Sequence, residues 1–275
     1  MTRMPARHAQ PKIASTVRAM RSNLESLLHD QKIGAEQYVA KTKLIRQRVL
    51  DQSRVMKEAN FSATTAADLR CMAEHYDAIF FDGTCIALAK QYGLSFRWSS
   101  RMTRAGGKTT RSVSRPVPLL PTKAHYEIAL SSSLIFQTFQ EADREVRVCG
   151  CVCEDRLQAM QRIVEHETIH LAEMLIWVDS DCAARRFQSI ANRFFCHTEH
   201  RHELVTQRER AQKLFDIRLG SRVSFAYQGR EHIGIVNRIT RRATVLVESS
   251  KGTRYSDGKR YEKFYIPIVS LKPHG

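Results

Sequence analysis

The stretch His166-Glu167-Thr168-Ile169-His170 decides how the rest of the chain is read, because it spells H-E-x-x-H inside a helical pattern. A helix sets residues four apart on one face, so both imidazoles can turn toward a single ion. Zinc accepts such nitrogens, and its catalytic sites leave one position for water. Glu167 is then placed to act as general base on that water, so the spacing supplies two ligands and a base together. The flanking Leu157, Met160, Ile163, Val164, Leu171, Met174 and Leu175 recur at intervals of three and four, and Asp155 stands where an N-cap belongs. An amphipathic helix is therefore expected. The competing reading is a chance pentapeptide whose histidines are ordinary helix residues, and only the structural context separates the two.

At 275 residues the chain is longer than one average domain. No apolar run is long enough to cross a bilayer, and Met1 is followed by polar and basic residues rather than an apolar signal segment. The expectation is a soluble, cytoplasmic protein without membrane partners, nucleoid-associated if bacterial. The cysteines (Cys71, Cys85, Cys149, Cys151, Cys153, Cys182, Cys196) are odd in number and lack the spacing of a small disulfide scaffold, which fits a reducing compartment. The formal net charge of +16 is unevenly spread. Residues 1–60 carry 12 basic and 5 acidic side chains, residues 216–275 again 12 and 5, and residues 93–123 hold seven basic and no acidic ones. Three basic blocks rather than a uniform coat point to a polyanionic partner, most simply nucleic acid, against the plainer alternative of a solvated surface.

Along the chain, Ile13, Val17, Met20, Leu24, Leu27 and Leu28 keep the helical period up to a stop at Gly34, and Tyr38, Ile45, Val49, Gln52 and Met56 mark a second helix. Residues 1–60 thus read as a basic N-terminal helical hairpin. A third helix begins at Thr65 and ends at Asp82-Gly83, and a short one runs to Gly93. Then Phe96, Trp98, Ser100 and Met102 alternate with Arg97, Ser99 and Arg101, the mark of a half-buried strand. Ala105-Gly106-Gly107-Lys108 reads as a turn, residues 116–121 as a loop, and Tyr126, Ile128 and Leu130 as a second strand, antiparallel to the first. The edge of such a pair can hold an extended peptide by main-chain hydrogen bonds. Cys149, Cys151 and Cys153 alternate on an extended segment but lack C-x-x-C spacing and a second cysteine pair, so buried thiols are favoured over a second zinc site.

This order of elements, with Arg162-Ile163-Val164-Glu165-His166-Glu167-Thr168-Ile169-His170 at its centre, resembles the SprT-like zinc metallopeptidase family over residues 66–195. The resemblance implies a zincin-like α+β domain over residues 61–205, a Zn2+ cofactor, peptidase activity, and protein substrates bound or crosslinked to DNA. Members typically place a third histidine ligand in a stretch like H-G-x-x-F, where this chain has Asp181-Cys182-Ala183-Ala184-Arg185-Arg186-Phe187. Cys182 is the expected substitute, at a helix start that would favour its thiolate. His197 is the runner-up: if residues 183–195 form one helix its far end lies ~20 Å from its start, so His197 reaches the site only if the chain folds back. Glu173 is expected to support the ligands rather than bind, and the alternative for His197, His200 and His202 is a structural hydrogen-bond network.

The family's zinc-ribbon tail is missing. After residues 206–213, short strands with glycine-bearing turns run through residues 220–229, 234–239 and 243–247, which resembles an SH3-like barrel of the KOW or Tudor kind over residues 206–275. Arg238, Arg241, Arg242, Arg254, Lys259, Arg260 and Lys263 stand among Tyr255, Tyr261, Phe264 and Tyr265, a mixture suited to phosphate contact and base stacking, although alternation puts at least half of these aromatics in the core. The leading expectation is a zinc metallopeptidase with Glu167 as catalytic base and His166, His170 and Cys182 as ligands, guided by nucleic acid, with DNA as the first candidate. The alternative is a non-catalytic nucleic-acid-binding or regulatory protein with a structural zinc.

Overall fold

The computed structural model describes residues 10–113, 124–141 and 144–275, so the expected loop at 116–121 and the basic residues Arg115 and Lys123 lie outside the described residues. It is a mixed α and β structure whose described residues fall into two compact units, the first comprising residues 10–139 and 144–204 and the second residues 140–141 and Val205–Gly275.

The first unit opens with α1 (Gln10–Asp30) and α2 (Ala35–Gln52). Tyr38, Thr42, Ile45 and Val49 are the buried stripe of α2, following the 3.6-residue period of the sequence. Both helices pack within this unit, α1 against α4 (Thr84–Tyr92) and α2 against α3 (Ala66–Phe80). Thr65 caps α3 in a full capping box with Asp68. Behind it, Tyr76, Phe80, Phe81, Phe194 and Phe195 form an aromatic cluster with ring centroids 4.9–6.1 Å apart.

Next come β1 (Leu94–Ser99), β2 (Gly107–Val113) and β3 (Ala124–Ser131). Their order in the sheet is β1-β3-β2. β1 pairs with β3 in parallel, Trp98 opposite Leu130, and only β2 runs antiparallel to β3. The two expected strands are therefore neighbours but not antiparallel, because a third strand turns the chain back before β3 enters between the two. β2 was hidden by its glycines: Gly107 and Lys108 are in the strand and not in a turn. The glycine answers to packing, since a Cβ on Gly107 would stand 2.5 Å from Glu167 Oε1 and 2.6 Å from Ile163 Cγ2. Only a bare backbone lets β2 lie against the helix that carries the motif.

After α5 (Ser132–Glu141), the hairpin β4 (Val146–Val148) and β5 (Cys151–Cys153) leads into α6 (Arg156–Trp177), capped by the Asp155 carboxylate on Gln158 N. α6 is less amphipathic than its sequence pattern suggests: 16 of its 22 residues are buried, as expected of a helix enclosed on most sides. It packs against α1, α2, α3, α4, β2, β3, β4 and β5 and against α7 (Arg185–Phe195). Its buried charges all have partners. Arg156 donates to the carbonyls of Asn60, Phe61 and Phe136, and Glu165, Glu167 and Glu173 accept hydrogen bonds described below, which keeps the desolvation cost from standing uncompensated.

The second unit contains α8 (Gln207–Phe215), β6 (Arg222–Tyr227), β7 (Arg230–Ile239), β8 (Ala243–Arg254), β9 (Arg260–Ile266), the 3-10 turn η1 (Ile268–Ser270) and β10 (Lys272–Pro273). The strands make one antiparallel sheet in the order β10-β6-β7-β8-β9, and its outer strands do not pair with each other among the described residues. Val223, Phe225, Val236, Val245, Ile266 and Leu271 are among the residues of its core, with Ala211 of α8 packed onto them. No helix among the described residues is long and apolar enough to cross a membrane.

Candidate metal centre

His166 and His170 stand one turn apart on α6, and their Nε2 atoms are 3.1 Å from each other. Two nitrogens held at ~2.0–2.1 Å on one zinc ion come about this close. Cys182 completes a group of three whose ligand atoms all lie within 4.8 Å of one another. The residue types and their separations fit a zinc ion, so the expected ligand set His166, His170 and Cys182 is brought together. The expected helix start at Cys182 is not found: α7 begins at Arg185 and Cys182 lies in the turn before it. Its thiol is shifted upward rather than down, first by burial and then by the neighbouring Asp181 charge.

A relay behind His170 fixes the state of its ring. Ser180 Oγ donates to Glu173 Oε2 at 2.5 Å and lies 2.7 Å from His170 Nδ1. Having given its only proton to Glu173, the serine accepts from His170 Nδ1–H, which leaves the Nε2 lone pair facing His166. Arg186 holds the other Glu173 oxygen at 2.7 Å and stacks over the Trp177 ring at 4.4 Å. Glu173 is thus linked through Ser180 to His170. Phe187 lies against both histidine rings, with centroids 4.8 Å from His166 and 4.4 Å from His170. Burial in this setting pushes the pKa of His170 down to about 4 and that of His166 well below the usual range, and neighbouring histidines add to the shift at His166. Both rings are thus kept neutral, the form that binds a metal.

Glu167 sits between α6 and β2. It is 3% exposed, and Thr109 Oγ1 donates to its Oε2 at 2.7 Å. Desolvation raises its pKa to about 7, with the Thr109 hydrogen bonds opposing the shift. A carboxyl poised there can both take and return a proton near neutral pH.

His197 also arrives, from the far end of α7. Cys196 ends that helix in the left-handed region, φ 57°, and the His197 amide reaches back to the Ala191 carbonyl at 3.3 Å. The chain does fold back, and the His197 ring is placed in a second group with His166 and Cys149, their ligand atoms again within 4.8 Å. The other two histidines of its cluster go elsewhere. His202 Nε2 lies 3.0 Å from the Arg104 carbonyl oxygen, and His200 Nδ1 lies 3.5 Å from Gln188 Nε2. Cys149 and Cys153 are buried and Cys151 is half-buried, with burial raising all three thiols, Cys151 to about 11.

Thr109 and Ser180 are site residues that sequence reasoning missed, and Cys149, weighed for a second zinc site, reads from sequence as a buried thiol. Nothing local marks the first two, and Cys149 carries only its residue type and its alternation with Cys151 and Cys153. In the second unit Arg238, Arg241, Arg242, Arg254, Lys259, Arg260 and Lys263 are all exposed. Lys259 is tied to Glu248 at 2.8 Å and Arg260 donates to the Gly252 carbonyl at 3.1 Å. Lys263 Nζ lies 5.7 Å from the Tyr255 ring centroid. Tyr261 is buried and Phe264 packs onto the core, whereas Tyr265 is 62% exposed. A scan against protein-family models and searches of curated proteins and of solved structures find no match to the chain.

Proposed function

We propose that the chain is a zinc-dependent metallopeptidase of the SprT-like, zincin-like class that acts on proteins associated with nucleic acid. The observation that carries the reading is the meeting of His166, His170 and Cys182 beside a buried Glu167 whose pKa is raised to about 7. His166 and His170 through Nε2, with the Cys182 thiolate, would hold the ion. Bound zinc would supply Lewis-acid activation of water and of a peptide carbonyl. Glu167 takes a proton from the attacking water and returns it to the leaving amine. Thr109 holds that carboxylate in place, and the Ser180–Glu173 relay keeps His170 in its ligating tautomer. Among the described residues β2 pairs on one side only, with β3, and it lies against α6, so its other edge offers main-chain groups to an extended peptide next to Glu167.

The second unit is read as an SH3-like barrel, and its exposed arginines and lysines, with Tyr265 among them, as the surface that brings the enzyme to nucleic acid, with DNA the first candidate. The test is to purify the protein and its Glu167→Gln variant, measure bound zinc, and assay cleavage of DNA-bound proteins with and without DNA. Zinc in both and cleavage only by the unaltered protein are expected. Equal cleavage by the two, or a folded sample free of zinc after growth in zinc, would sink the enzymatic reading. Zinc bound without cleavage by either protein would favour a structural ion in a regulatory, nucleic-acid-binding protein.

A further inference from the structure

The two ring nitrogens of His166 face two different groups. Nε2 lies 3.1 Å from His170 Nε2, while Nδ1, at the other side of the ring, lies 3.5 Å from Cys149 Sγ. Cys149, His166 and His197 together bring a sulfur and two ring nitrogens within 4.8 Å of one another. Around a single zinc ion, a sulfur at ~2.3 Å and a nitrogen at ~2.0–2.1 Å stand roughly 3.5 Å apart. The Cys149–His166 separation already has that value.

His197 is the decisive member. It is 3% exposed, and its Nε2 lies 2.9 Å from Glu165 Oε2. That carboxylate is itself held by Tyr38 at 2.9 Å, Tyr76 at 2.6 Å and Arg162 at 2.9 Å. A carboxylate so placed accepts Nε2–H and leaves the Nδ1 lone pair free, the arrangement by which proteins orient metal-binding histidines. Nδ1 is buried and has no hydrogen-bond partner. A thiol proton donated from Cys149 to His166 would account for those two residues and still leave His197 Nδ1 unpartnered, whereas one cation satisfies all three.

Backbone hydrogen bonds tie Cys149 to the segment that carries His197. Cys149 turns the β4–β5 corner at φ 55°, its carbonyl accepts from the amides of Thr198 and Glu199, and its own amide donates to the Arg201 carbonyl. The hairpin corner is thereby fastened to the segment that carries His197. A cavity of about 340 Å³, lined in part by Phe187, His197, Thr198, Glu199 and His200, adjoins the group at His197.

We propose that Cys149 Sγ, His166 Nδ1 and His197 Nδ1 form a second site for a thiophilic metal ion, sharing His166 with the His166–His170–Cys182 group. The proposal rests on the first-site reading only for the bridging role of His166. Filling the second site with the first occupied releases two protons to water, one from the Cys149 thiol and one from the His166 ring, which is left bridging the two ions. Thiolate and imidazole donors suit zinc or monovalent copper.

The test is a titration of the metal-free, reduced, full-length chain with zinc, counting bound equivalents and protons released into weak buffer, in the unaltered protein and in Cys149→Ser and Cys182→Ser. Two equivalents in the unaltered protein and one in each variant are expected. If zinc stops at one equivalent and monovalent copper supplies a second that Cys149→Ser loses, the site stands and takes copper. A single ion lost in Cys182→Ser and kept in Cys149→Ser, with no copper uptake beyond it, overturns the second site and leaves the first intact. A single ion with the opposite dependence overturns the first ligand set and leaves Cys149, His166 and His197 as the metal centre. No ion at all overturns both. Should Cys149→Ser not fold, X-ray absorption of the metal-loaded unaltered protein decides: sulfur in the first shell of both ions supports the proposal, and sulfur on only one overturns it.

Discussion

Thr109 Oγ1 donates to Glu167 Oε2 at 2.7 Å, across the contact between β2 and α6. The same hydroxyl lies 3.0 Å from the Glu167 carbonyl oxygen. One side chain on the edge strand thus fixes both the position and the proton affinity of the proposed base, because a hydrogen bond to the charged form lowers the pKa that burial raises. Thr109→Val keeps the shape and removes this bond. The pKa of Glu167 then rises further, so the acid limb of a kcat/KM profile on a peptide substrate moves to higher pH. An unmoved limb would mean that Glu167 is not the group being read.

Glu167 also makes the metal-free protein sensitive to pH. Its folded pKa, about 7, lies above the ordinary 4.5. The folded chain therefore keeps a proton that the unfolded chain has lost, and stability falls as pH rises from about 4.5 through 7. Glu167→Gln removes this loss. At pH 8 the metal-free variant should be more stable than the unaltered protein by up to about 3 kcal/mol, and at pH 4 the advantage should vanish. Urea unfolding at the two pH values checks it.

Ser180 stands between His170 and Glu173. Ser180→Ala frees the His170 ring to take either tautomer and should weaken zinc binding about 10- to 100-fold while leaving the fold intact. Chelator competition measures the first effect and thermal melting of the metal-free protein the second.

Glu165 gathers Tyr38, Tyr76, Arg162 and His197 onto one fully buried carboxylate. Glu165→Ala strips the partner from the half-buried Arg162 and from two buried hydroxyls together, so a loss of about 3–5 kcal/mol in unfolding free energy is expected. A loss below about 1 kcal/mol would show that water replaces the carboxylate.

On the second unit, Arg238, Arg241, Arg242 and Arg254 carry no ion pair among the described residues, whereas Lys259 is held by Glu248. If this face binds nucleic acid, Arg241→Ala with Arg242→Ala should reduce the slope of log affinity against log salt by about 2, and Lys259→Ala should change it less. Binding to a DNA duplex followed by fluorescence anisotropy at several salt concentrations separates the two.

Much of this protein is written in short-range patterns. The α6 motif, the Asp155 and Thr65 caps, the paired N-terminal helices and the strand-rich final segment each depend on residues within a few positions of one another, where spacing dictates which side chains share a face. Cys182 was reached only through the family resemblance, and the turn after α6 places it beside the two histidines. The parallel pairing of β1 with β3 was not legible in the sequence, because two strands with the same alternation fit either direction, and the direction is set by where the returning β2 settles. Gly107 has the same letters in a turn as in a strand, and only the 2.5 Å approach of Glu167 shows why it is glycine. His197 and Cys149 lie far apart in the chain and far from a simple spacing rule. A left-handed residue at Cys196 and backbone hydrogen bonds between two turns bring them to His166. The sequence by itself determined which side chains are available to bind a metal, because residue types and helical spacing are local properties. Tertiary structure decided which of those ligands meet, because meeting depends on chain reversals whose closure is settled by packing.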